Sequence, residues 1–148
     1  MGELLVEVFF SIFDQLPRMQ GDPDSMPVDV TAFYSRPVLD SGNAKAPLAL
    51  MRMVTHGPDH ASTPGLREIE EYVRGLDVPA EIIWGMNDPI LARGLSAMRQ
   101  NFPDAAVTET QGGHFLQEEV PGEIAAALMR VVEQVRDPAR TDLRAGVR

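Results

Sequence analysis

The feature that most restricts what this chain can fold into is a strand, helix, strand, helix succession in its second half. AEIIWG at 80–85 follows Pro79 as a short, almost continuous apolar run. Its length and its Ile-Ile-Trp content favour a buried strand over a helix. NDP comes next, then a helical stretch over about 90–101, then AVTET at 106–110 as a second β-prone run. The loop QGGH leads into a last helix over 121–135, in which Ile124, Leu128, Val131, Val132 and Val135 recur with helical period. Strands joined by a helix of this length pair in parallel through a right-handed crossover. The expected fold class is therefore α/β, with a parallel βαβα segment. Parallel strands end on one shared edge, where α/β proteins place their ligands, so the loops after residues 85 and 110 should open on the same side.

Upstream the pattern is helical. Thr63 followed by Pro64 reads as a helix start, with a hydroxyl at the N-cap and a proline in the first turn. Leu66, Ile69, Tyr72, Val73 and Leu76 then mark one face expected to be buried, and the helix should end near Gly75. Residues 17–64 hold more than half of the prolines and the turn-rich stretches GDPDSMP, DSGNAKAP and HGPDHASTPG. Only short helices fit between them, over 28–34 and 48–54, with no strand. Near the start, Leu4, Leu5, Val8, Phe9, Ile12, Phe13 and Leu16 give a helix with a wide apolar face.

Composition narrows the partners. One domain is expected from 148 residues. A formal charge of −9 and a pI near 4.7 oppose binding to phosphate backbones and anionic lipid. Among the basic residues only Lys45 is a lysine, and the arginines are scattered singly, so neither nucleic acid nor a membrane is an expected partner. The arginine bias with abundant Ala and Pro is a compositional mark of GC-rich bacterial coding. The absence of cysteine excludes disulfides, thiolate metal sites and a cysteine nucleophile. Glu3 and Glu7 stand where a secretory leader needs positive charge, and Asp14 and Pro17 close the apolar run too early for a membrane span. The cytoplasm is the default compartment.

Two residues carry the candidate chemistry. Asp88 lies in WGMNDP between a strand and a helix, where it can serve as an N-cap with Pro89 in the first turn. His114 lies in QGGHFLQEE, where paired glycines allow the backbone to turn the imidazole back over the sheet edge. A lone loop histidine usually means nothing. A carboxylate and an imidazole on adjacent loops of one sheet edge, however, suit the acid and base of a catalytic triad, the acid fixing the tautomer and stabilising the imidazolium. His56 and His60 are four apart, but Gly57 and Pro58 break the helix that would align them on a metal, so no metal is expected. Glu118 and Glu119 read as acidic residues serving the N-terminus of the last helix.

VPAEIIWGMNDP, followed about two dozen residues later by GGHFLQEEVP, is similar to the C-terminal end of α/β-hydrolases. Within that superfamily the chain resembles the haloalkane dehalogenase and epoxide hydrolase branch: GELL near the start, YSRPV and ALMRMV…GPDHAS resemble the cap that dehalogenases insert before the last part of the sheet. The resemblance implies a helical cap region at 1–64, the C-terminal part of a hydrolase core at 65–136 and a frayed charged tail at 137–148. It implies Asp88 and His114 as triad acid and base, no cofactor, and a small apolar organic substrate for the full-length enzyme. In dehalogenase-like relatives an aspartate displaces halide, and the histidine then activates water against the alkyl ester.

The chain departs from that family in two ways. No G-x-S-x-G or G-x-D-x-G occurs in it, and Ser11, Ser25, Ser35, Ser41, Ser62 and Ser96 lack a preceding strand. Asp40 and Ser41 likewise have no strand-to-helix elbow around them. The single tryptophan, Trp84, sits in the strand rather than where relatives bind halide. His56-Gly57-Pro58 resembles the turn that supplies an oxyanion donor, but it follows the cap and is a decoy. The expectation is a hydrolase segment that is inactive alone. The alternatives are a non-catalytic dimerising or binding module, a relic, or a parent that is an epoxide hydrolase or serine esterase. An uncovered apolar face would favour self-association.

Overall fold

The computed structural model describes residues 12–43 and 45–137. Strands β1 (Glu81–Gly85) and β2 (Ala106–Thr110) pair in parallel, Glu81 opposite Ala106 and Gly85 opposite Thr110. The molecule is thus mixed helix and strand, and the two expected strands, their direction and their adjacency are all observed. Before β1 come 3₁₀ helices at Ile12–Met19 and Pro23–Ser25, then α1 (Val28–Asp40), α2 (Ala46–Met53) and α3 (Thr63–Arg74). A 3₁₀ turn at Ala92–Gly94 and α4 (Leu95–Asn101) make the crossover. The one-turn α5 (Leu116–Glu119) and the long α6 (Pro121–Arg136) follow β2. No strand precedes β1 among the described residues.

The core is small. Leu16, Met26, Ile82, Leu95 and Ala127 are buried, drawn from the leading 3₁₀ helix, the turn before α1, β1, α4 and α6. Helix α6 is also tied to β1 by a two-pronged ion pair, Arg130 Nε and Nη2 donating to Glu81 Oε1 and Oε2 at 2.8 and 2.7 Å. That hydrogen bonding from Arg130 holds the Glu81 carboxyl below its ordinary range despite burial.

Several local expectations need correction. The helix over 28–34 runs on to Asp40, straight through Pro37. The proline removes one intrahelical donor near the C-terminal end without stopping the helix. Most of the helix expected over residues 3–16 lies outside the described residues. Ile12–Met19 is 3₁₀ and carries Pro17 inside it. The helix expected over 90–101 begins as a 3₁₀ turn and becomes α only at Leu95. Thr63 is not the N-cap of α3. Ser62 is, with no side-chain bond, and Thr63 Oγ1 donates instead to the Gly57 carbonyl at 2.9 Å.

The largest correction concerns α3. Its apolar face exists as spaced, but Leu66, Ile69 and Tyr72 are exposed, the last two by 59% and 70%. The helix meets α4 at its C-terminal end, where Arg74 Nε donates to Asn101 Oδ1 at 2.8 Å. Among the described residues nothing lies over the rest of that face.

Candidate active site

The loops after β1 and β2 open on one edge, as parallel strands require. Met86 and Asn87 donate backbone N–H to the carbonyls of Thr110 and Gly112 at 2.9 and 3.1 Å, so the pairing continues past both strand ends. Asn87 Nδ2 adds a bond to the Gln111 carbonyl at 2.7 Å. Gly85 is the residue this approach demands: a Cβ there would stand 2.6 Å from the carbonyl oxygens of Gly112 and Gly113.

This close approach brings the two singled-out residues together. His114 Nδ1 lies 2.9 Å from Asp88 Oδ2. The other carboxylate oxygen, Oδ1, accepts the amides of Ile90 and Leu91 at 2.7 and 2.9 Å. Asp88 therefore caps the turn and faces the histidine at once, so the local and the chemical reading of the residue both apply. It is 8% exposed. Burial works against its charge, but the Leu91 amide, the His114 hydrogen bond, the Ile90 amide and the neighbouring imidazole outweigh that and hold its carboxyl below the ordinary range. An ionised carboxylate accepts only, so neutral His114 carries its proton on Nδ1 and presents a lone pair at Nε2. No described residue hydrogen-bonds that Nε2, and the side chain is about one quarter exposed, at 26%.

Chemically this is an oriented base. An imidazole with Nδ1–H on a buried carboxylate can take a proton at Nε2 and hold the resulting charge. Among the described residues no serine or aspartate stands against Nε2 as a nucleophile. A concavity of about 790 Å³ does not contain the pair. It runs past Asn87 and Thr108 to Gly112 and is lined with acidic side chains.

The remaining sites sort as follows. His60 is used up inside the turn between α2 and α3: Nδ1 accepts the Ser62 amide at 3.2 Å, which leaves Nε2 to donate to the Arg52 carbonyl at 3.1 Å. His56 stacks edge-on against it, ring centroids 4.8 Å apart. Among the described residues no group of three or more His, Cys, Asp or Glu could hold a metal, and no helix is long and apolar enough to cross a membrane. Trp84 Nε1 donates to the Ala92 carbonyl at 3.2 Å.

Glu118 and Glu119 stand just ahead of the last helix but do not cap it by hydrogen bond, its N-cap being Val120 with no side-chain bond. Glu118 accepts from the Tyr34 hydroxyl at 2.6 Å, and Glu119 reaches backbone amides upstream of α1. Gln20, buried at 7%, holds the backbone of Phe115 in both directions. Neither Gln20 nor this use of Glu119 is legible in the sequence, since their partners are 95 to 98 positions away. No family model, curated protein or solved structure matches the chain.

Proposed function

We propose that the chain is the C-terminal portion of a cofactor-free α/β-hydrolase of the haloalkane dehalogenase and epoxide hydrolase kind, supplying the acid and base of its triad. The observation that carries this reading is the 2.9 Å contact between His114 Nδ1 and Asp88 Oδ2 at the C-terminal edge of a parallel strand pair. In this reading His114 Nε2 takes a proton from the attacking water or nucleophile, and Asp88 stabilises the imidazolium. The nucleophile comes from polypeptide outside these 148 residues, and the substrate is a small apolar organic molecule.

Triad members act as a unit, so a base without its nucleophile loses most of the acceleration. The purified 148-residue chain should leave haloalkanes, epoxides and activated esters unchanged. A chain extended upstream with the missing strands and nucleophile elbow should hydrolyse at least one of them, and His114→Ala should cut that rate by on the order of 10³-fold or more. Turnover of p-nitrophenyl acetate by the unextended chain, lost in His114→Ala, would show that the residues present suffice and that the division of labour is wrong.

A second reading, a non-catalytic associating module, is favoured by one observation. Phe33, Ile69 and Tyr72 are large, apolar and exposed. It predicts that no extension confers hydrolysis.

A further inference from the structure

Three successive residues around the imidazole are each held by the segment ahead of α1 or by Glu119. The His114 amide donates to the Met19 carbonyl at 2.8 Å. On one side, the Gly113 amide donates to Glu119 Oε2 at 2.5 Å, and the same carboxylate accepts the amides of Gly21 and Asp22 at 3.2 and 2.6 Å. On the other side, Gln20 Oε1 accepts the Phe115 amide at 2.9 Å while its Nε2 donates to the Phe115 carbonyl at 3.1 Å. The fit is close: a Cβ on Gly113 would run into the Met19 carbonyl and the Gln20 backbone. None of these bonds belongs to the strand ladder, and each joins the histidine loop to residues more than ninety positions away or to the last residue of α5.

We propose that Glu119 and Gln20 are positioning residues, a polar clamp that sets the imidazole of His114 against Asp88. The proposal rests on the reading of that pair as a catalytic acid and base. A carboxylate taking three amides fixes the loop on the N-terminal side of His114, and a bidentate amide side chain fixes it on the other. Two-sided fixation is what an imidazole on a glycine-rich loop needs, because Gly112 and Gly113 supply little restraint of their own.

The test uses the 148-residue chain labelled with ¹⁵N in its histidine rings. Three histidines give three separable signal pairs. His60 is an internal control: its bonds to Ser62 and Arg52 fix it as the Nε2–H tautomer, opposite to His114. Wild type should show His114 as Nδ1–H. Glu119→Ala and Gln20→Ala should each lower the Nδ1–H to Nε2–H ratio of His114 several-fold and leave His60 unchanged, with Glu119→Gln falling between.

A role confined to stability would lower the melting temperature and leave the tautomer alone in the folded molecules. That result, in a variant whose His60 signals are native, overturns the clamp. If Glu119→Ala loses the His60 pattern by unfolding, Glu119→Gln and Gln20→Ala decide by the same criterion. If wild-type His114 is itself Nε2–H, the acid and base reading fails, and that failure is distinct from failure of the clamp.

Discussion

At the residue scale the site depends on a few positions that admit no substitute. Gly113→Ala places a methyl group against the Met19 carbonyl and the Gln20 backbone, and forced overpacking of this kind costs about 1–3 kcal/mol. Gly65, in the first turn of α3, has nothing within 4 Å of its would-be Cβ. Gly65→Ala should therefore stabilise by about 0.4–1 kcal/mol through the unfolded chain. Urea unfolding of the pair should move in opposite directions, and equal shifts would sink the packing argument. Acid sensitivity follows from the carboxyls. Asp88 and Glu81 are both held below their ordinary values of 3.8 and 4.5. Such groups bind protons more readily in the unfolded chain, so their contribution is complete above the ordinary values and is lost as pH falls through the lowered ones. Melting temperature should be level above about pH 5.5 and decline below about pH 4.5, less so in Glu81→Gln. Asp88 and His114 were legible because each follows its strand within a few residues, leaving the backbone no room to face elsewhere. Gln20 and Glu119 were not, because a side chain that bonds backbone across the whole chain leaves no local mark.

At the element scale, what was legible is what has a period. β1, β2 and α6 fall within one residue of their expected limits because apolar spacing and bounding prolines or glycines determine them locally. One misread limit involves a residue whose local preference is overridden. Pro37 marks a break in the sequence, yet α1 continues to Asp40, since one missing donor late in a helix is a finite cost that the rest of the helix absorbs. The override at Pro37 can be measured. Pro37→Ala restores the donor to the Phe33 carbonyl four residues back and removes the ring clash, and should stabilise by about 1–3 kcal/mol with a gain in helical circular dichroism. A loss of stability would mean that Pro37 makes a favourable contact outweighing its helix cost.

At the scale of the whole molecule, many large apolar side chains among the described residues stay exposed. Among the described residues each strand of the two-stranded sheet has an open edge, and unpaired strand edges invite pairing with another chain. Val28, Phe33, Leu50, Leu66, Ile69 and Tyr72 add exposed apolar side chains along α1, α2 and α3. The period of α3 announced an apolar face correctly, but periodicity says only that a face seeks cover and not where the cover comes from. In the proposed function that cover is the rest of the hydrolase sheet. Without it the face should find another copy of the chain, because exposed apolar patches of this kind drive association. Sedimentation velocity of the purified chain should therefore show dimers or larger species that dissociate on dilution. Ile69→Lys with Tyr72→Lys should shift the population toward monomer, since a charged ammonium on the contact face must be desolvated to associate. A chain that stays monomeric at high concentration, with a cooperative melt, would mean that α3 is sufficiently covered within one molecule. The need for further polypeptide, and with it the proposed missing half, would then lose its physical basis.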